Sequence, residues 1–144
     1  MTGNQIFGPF LAMMLLTGIV WVVLYTRRLN YIFSQRIDSQ QLTIPEKGAA
    51  LIPEEVNWPS YNFRNLFELP VLFYALCLYL FVTGSVDAIF VGSAWAYVGL
   101  RTLHSLIHCT LNIVKLRFIA YMLSSIVLWF MFIRACWHYF GSAY

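Results

Sequence analysis

The stretch from Ile6 to Thr26 holds no charged residue, and Arg27 and Arg28 follow it directly. A run of about 20 apolar residues is long enough to cross the hydrocarbon of a bilayer, where each backbone N–H and C=O must be bonded within its own segment. That requirement leaves the α-helix as the form such a run takes, with the two arginines stopping it at the headgroups. Composition carries the same message. Of the 144 residues, 60% are hydrophobic and only 10% charged, against roughly 25% charged in a soluble domain. This chain needs lipid as its solvent.

The length suits a single domain over residues 1–144, and four helical spans with short connections fill nearly all of it. The expected spans are about 6–26, 65–83, 88–112 and 118–140. Gly84-Ser85-Val86-Asp87 makes a tight turn between the second and third, and Lys115 and Arg117 stand between the third and fourth. Residues 27–64 form the one long polar stretch, punctuated by Pro45, Pro53 and Pro59 and carrying Glu46, Lys47, Glu54 and Glu55, and are read as a loop, with a short helical extension of the first span at most. The fold class is therefore an all-α membrane protein, a four-transmembrane-helix bundle.

Charge placement sets the expected orientation. Arg27, Arg28, Arg36, Lys47, Arg64, Lys115 and Arg117 fall on one side of the membrane, and the opposite turn carries only Asp87. By the positive-inside rule the basic side is cytoplasmic and both termini lie on the other side. The net charge of +3 is too small and dispersed to argue for nucleic-acid binding. Cys77, Cys109 and Cys136 stand singly in apolar surroundings, without the spacing of a metal site or a disulfide framework. Arg134, near the outer end of the last span, reads as a residue that snorkels to the headgroups.

Arg101 is harder to place, because an arginine inside a span costs about 2.5 to 3.5 kcal/mol on insertion scales unless it has a partner or water. His104, His108 and Lys115 follow it at helical spacing, so one face of the third span is polar over several turns. The second span opens with Asn62-Phe63-Arg64-Asn65-Leu66-Phe67-Glu68, in which Asn65 and Glu68 share a face. If the hairpin folds near Ser85, Glu68 lies level with Arg101 or Thr102, and an Arg101–Glu68 ion pair is the natural expectation. Together these residues predict a water-accessible pocket for an anionic ligand. His104 and His108 alone supply too few donors for zinc, and no metal is expected.

Asn65-x-x-Glu68 with Pro70 close behind it, followed by Arg101-x-x-His104-x-x-x-His108 in the third span, resembles the membrane-associated proteins in eicosanoid and glutathione metabolism, the MAPEG family. The resemblance covers essentially the whole chain, and the segment from Asn65 to Tyr74 looks like the bacterial branch. It implies a MAPEG-like homotrimer, multi-pass in a bacterial inner membrane, that binds glutathione as cosubstrate between subunits near the cytoplasmic face. It implies also a transferase or peroxidase activity on lipophilic electrophiles. Carried over by position, Arg28, Arg64, Asn65, Glu68, Arg101, His104 and His108 would hold the peptide, and Arg117 or Lys115 would stand where the family stabilises the thiolate. Tyr61 occupies the place, four residues before the asparagine, where catalytic relatives carry an arginine. A thiol with a pKa of about 8.5 becomes a useful nucleophile at neutral pH beside a fixed cation. The alternative implied by the same resemblance is a non-catalytic protein that binds membrane lipids or packs against a larger membrane complex.

Overall fold

The computed structural model describes residues 3–43 and 51–141. Pro45, Glu46 and Lys47 of the polar stretch lie outside the described residues. Among the described residues a 3₁₀ turn over Gly3–Ile6 is followed by five α-helices: α1 (Phe7–Ser34), α2 (Glu54–Asn65), α3 (Leu69–Val82), α4 (Ala88–Cys109) and α5 (Val114–Gly141). Among the described residues there is no strand.

Each long helix buries one stripe and turns the rest outward. In α1 the buried positions are Pro9, Met13, Leu16, Val20 and Leu24, and in α3 they are Pro70, Phe73, Leu76, Cys77 and Leu80. Those intervals of three and four follow the 3.6-residue period of one helical face. The outward faces are equally apolar, with Leu11, Leu15 and Ile19 on α1 and Ile126, Phe130 and Ile133 on α5 all exposed. A protein in water rarely exposes apolar surface on this scale; in a bilayer it is the surface that lipid covers.

Three helical stretches are long and apolar enough to cross a membrane: Gly3–Ser34, Glu54–Val82 and Val114–Gly141. At 22 residues α4 is long enough too, about 33 Å at 1.5 Å per residue. Its apolarity is diluted by Arg101, His104 and His108, which are all buried between the other helices. It packs along α5 as a hairpin, while α1 packs against both α2 and α4.

Local chemistry fixes the ends. Helix α3 closes with Gly84 at φ +66°, where Ser85 N–H donates to the Leu80 carbonyl and Gly84 N–H to that of Phe81; glycine takes this left-handed backbone without Cβ strain. Asp87 then caps α4, its carboxylate accepting from Phe90 N–H at 2.9 Å. Between α2 and α3 the chain steps at residues 66–68. Pro70 has no N–H for the Leu66 carbonyl and cannot follow on from an unbroken helix, yet it fits the first turn of a new one.

The polar stretch is more ordered than its composition suggests. Helix α1 runs on past Thr26 to Ser34, and Glu54–Asn65 is a helix, so much of the expected 27–64 loop is helical. Pro53 sits exposed at the N-cap of α2 and Pro59 is buried inside it, so one opens a helix and the other lies within it where sequence alone reads loop punctuation. The packing of α2 on α1 and α4 supplies the burial that a polar 12-residue helix needs, since helices this short are marginal alone.

Candidate functional site

The buried stripe of α4 changes character along its length. Phe90, Ala94 and Val98 begin it; Tyr97, Arg101, His104, Ser105 and His108 continue it. Arg101 is 0% exposed. Its Cζ lies 4.7 Å from the ring centre of Tyr121 on α5 and 5.5 Å from that of Tyr97, one turn back on its own helix. Its Nε and both Nη atoms have no hydrogen-bond partner, and neither do Tyr97 Oη, His104 Nε2 or His108 Nδ1.

The expected Arg101–Glu68 pair is absent. Among the described residues the one salt bridge joins Arg134 to Asp87, and Glu68 is exposed at the N-cap of α3. The depth inferred from the hairpin does not set the direction of a side chain: the step before Pro70 ends α2 and restarts the helix, while Arg101 faces inward. Arg134 is also placed differently from a lone snorkelling residue. Its two Nη atoms donate to the two Asp87 carboxylate oxygens at 3.1 and 2.6 Å, and its Cζ lies 4.3 Å from the centre of the Phe90 ring. Partial burial pushes the Asp87 carboxyl up, but the Arg134 guanidinium and the Phe90 N–H outweigh it and hold the group below its ordinary value of 3.8.

At the other end of the bundle the α4–α5 turn builds a clamp. Arg117 Nη1 donates to Asn112 Oδ1 at 2.6 Å and reaches His108 Nε2 at 3.1 Å, while His104 Nδ1 lies 3.0 Å from the Arg117 carbonyl oxygen. A carbonyl only accepts and a guanidinium only donates, so these partners place the protons on Nδ1 of both imidazoles. Asn112, at φ +47°, turns the chain so that its side chain meets Arg117. On the same end Arg27 donates to the Cys109 carbonyl at 2.7 Å. Asn62 of α2 donates to Cys109 Sγ at 3.4 Å and accepts from Ser105 Oγ at 3.4 Å.

Four helices thus meet around one basic, hydrogen-bonded end. Of the residues expected there from sequence, His104 and His108 are buried and joined to Arg117, which is half-buried. Arg28 and Asn65 are half-buried, Arg64, Glu68 and Lys115 exposed. Arg101 lies behind them. Sequence reasoning missed the roles of Asn62, Tyr97, Cys109, Asn112 and Tyr121. Two had a signal: Asn62 precedes Asn65 by three positions and Tyr97 precedes Arg101 by four, so each shares a face already marked as polar. Among the described residues no group of three or more His, Cys, Asp or Glu is placed to hold a metal ion.

The model of the MAPEG family matches residues 6–137, taking in every residue of this cluster. The chain belongs to the MAPEG family. No curated protein and no solved structure matches it. Membership suggests a glutathione-related transferase or a related function for this MAPEG chain, and its apolar helices make it an integral membrane protein.

Proposed function

We propose that this MAPEG chain is a glutathione-dependent transferase or peroxidase that acts on lipophilic electrophiles, the peptide lying between subunits of a homotrimer near the cytoplasmic face. The observation that carries the reading is the half-buried Arg117 guanidinium, oriented by Asn112 at 2.6 Å and His108 at 3.1 Å. A cation fixed in advance stabilises a thiolate without reorganising at the moment of reaction, and a thiolate is the nucleophile that this chemistry needs.

In this reading Arg117 holds the glutathione sulfur as its thiolate, with Lys115 as a second cation on the same turn. Arg28 and Arg64 meet the peptide's carboxylates, Asn65 its amide groups and Glu68 its ammonium. His104 and His108 act on Arg117, one through its carbonyl and one through its guanidinium. Because Arg64, Glu68 and Lys115 are exposed on the single chain, they are free to line a site with a neighbouring copy. In conjugation the thiolate attacks an electrophilic carbon, the C–S bond forms and a halide leaves. In peroxide reduction it attacks the terminal oxygen, releasing an alcohol, and a second glutathione converts the sulfenic acid to disulfide and water.

The test is an assay of purified protein with glutathione and a chlorinated nitroaromatic or a lipid hydroperoxide, alongside the ultraviolet absorbance of bound thiolate. Turnover and a thiolate signal are expected, and well-folded protein that shows neither ends the enzyme reading. A second reading draws on a different observation. Leu72, Leu76, Tyr79, Leu128, Trp129 and Phe132 are among the residues lining an apolar cleft of about 560 Å³ between α3 and α5, which suits a non-catalytic protein that holds a lipid chain or packs against a larger membrane complex. Co-purification of a stoichiometric lipid without glutathione binding would favour it.

A further inference from the structure

We propose that the cleft between α3 and α5 is a binding site for a single acyl chain of a membrane lipid whose headgroup lies on the Asp87 side of the bilayer. The proposal deepens the lipid-holding reading of that cleft, naming the occupant and its direction, and it stands whether or not the chain is catalytic.

The cleft measures about 560 Å³, and no charged residue lines it. Small residues on the facing sides, Ala75, Ala135 and Cys136, leave space between two helices that touch far less than α4 and α5 do. On α5 the lining runs from Leu128 to Phe140, about 18 Å at 1.5 Å per residue. Helix α5 has 28 residues, so Leu128 stands near its middle. Tyr139 lies about 16 Å beyond, where the half-depth of a hydrocarbon slab, about 15 Å, comes to its end. On α3 Leu72 marks the deep end and Tyr79 the shallow one. The cleft therefore spans one leaflet, with two tyrosines at the level where phenol rings favour the interface. Trp129 lies at the deep end, far from that belt, and its ring meets Phe132 edge-on at 5.8 Å. Those two rings make a firm wall.

The dimensions select the occupant. Spread over its length, the volume leaves a cross-section of about 30 Å². A helix about 10 Å across has a section of roughly 80 Å², and one that spans the bilayer needs a groove through both leaflets. Far fewer residues line the cleft than the roughly 20 to 30 a side of a standard protein interface. A lipophilic electrophile held there is remote from the proposed thiolate, because Leu128 already lies about 16 Å along α5 from Arg117 and the rest of the cleft runs the other way. An uncharged, narrow chain one leaflet long meets every condition. It also supplies the dispersion contacts that an unfilled gap forfeits, and packing is the chief attraction left between apolar groups already in lipid.

Photolabelling tests this. Protein in phosphatidylcholine vesicles is irradiated with phosphatidylcholines that carry a diazirine near either the ester or the methyl end of one chain, and the adducts are mapped by peptide mass spectrometry. The methyl-end probe is expected on Leu72, Leu128 and Trp129 and the ester-end probe on Tyr79, Tyr139 and Phe140, each more densely than on the open face at Ile126, Phe130 and Ile133. Ala75→Phe puts a ring into the cleft from an exposed position, and should lower adducts there about tenfold while those on the open face hold. Should that variant not fold, Leu72→Trp, also at an exposed position, closes the deep end in its place. Labelling no denser in the cleft than on the open face, unchanged by filling, or reversed in depth overturns the proposal. So does a cleft free of adducts in which Cys136 crosslinks between copies, since a second copy would then be seated there. Glutathione turnover by protein that labels as expected would end the non-catalytic reading and leave the lipid site standing.

Discussion

The two ends of the bundle treat their arginines in opposite ways. At the Asp87 end Arg134 meets a carboxylate through two hydrogen bonds, and the same carboxylate caps α4. Charge, cap and aromatic contact close on one another there, and nothing is left to offer a ligand. At the other end Arg117 is held by an amide and an imidazole and Arg101 by two aromatic rings, none of which neutralises its charge. Neutral partners orient a cation without cancelling it. The first arrangement fastens helices together; the second keeps positive charge available.

Substituting one arginine or acid at each end tests that division, and the largest expected effect is on turnover. Arg117→Leu should lower kcat/KM about 100-fold or more and abolish the thiolate absorbance, with little change in unfolding temperature, as steady-state assays and thermal melts in detergent would show. An equal loss of stability would make Arg117 a fastening residue like Arg134. Asp87→Ala should do the reverse. Losing an N-cap costs about 1 kcal/mol, and the part-exposed ion pair adds up to about 1 kcal/mol more, so its melt should shift down by several degrees while turnover per folded molecule holds.

Acid should act on the same end. The folded Asp87 carboxyl titrates below its unfolded value of 3.8, so its contribution is complete above that value and disappears as pH falls through the lower folded one. Melts of wild type and Asp87→Asn should therefore differ most at neutral pH and converge in acid, once the pH has fallen through the lowered value of the folded carboxyl. The smallest effect belongs to Asn112→Gly. Glycine keeps the left-handed backbone but removes the 2.6 Å contact to Arg117, so a few-fold rise in KM for glutathione is expected with the melt nearly unchanged. An unaltered KM would show that His108 alone orients Arg117.

Much of the architecture was legible in the sequence because bilayer thickness leaves so few options. The long apolar runs of α1, α3 and α5 and the turn from Gly84 to Asp87 all follow from residue type. Helix α2 was not legible, since its formation depends on packing against α1 and α4 rather than on its own polar composition. The stripe from Arg101 to His108 was visible as a face. Its partners were not, for they come from Asn62, Tyr121 and Asn112, on elements whose rotation about their own axes no spacing rule fixes. The Arg134–Asp87 pair escaped for the same reason: each residue had an adequate explanation alone.

The step before Pro70 also bears on the membrane itself. Helix α3 has only 14 residues, about 21 Å of length, whereas the hydrocarbon slab is about 30 Å deep. On that flank the crossing is completed through the step into α2, within the stretch Glu54–Val82, so the interrupted backbone at residues 66–68 must be shielded where it meets the hydrocarbon. That crossing is therefore jointed, whereas α1 and α5 pass as single 28-residue rods.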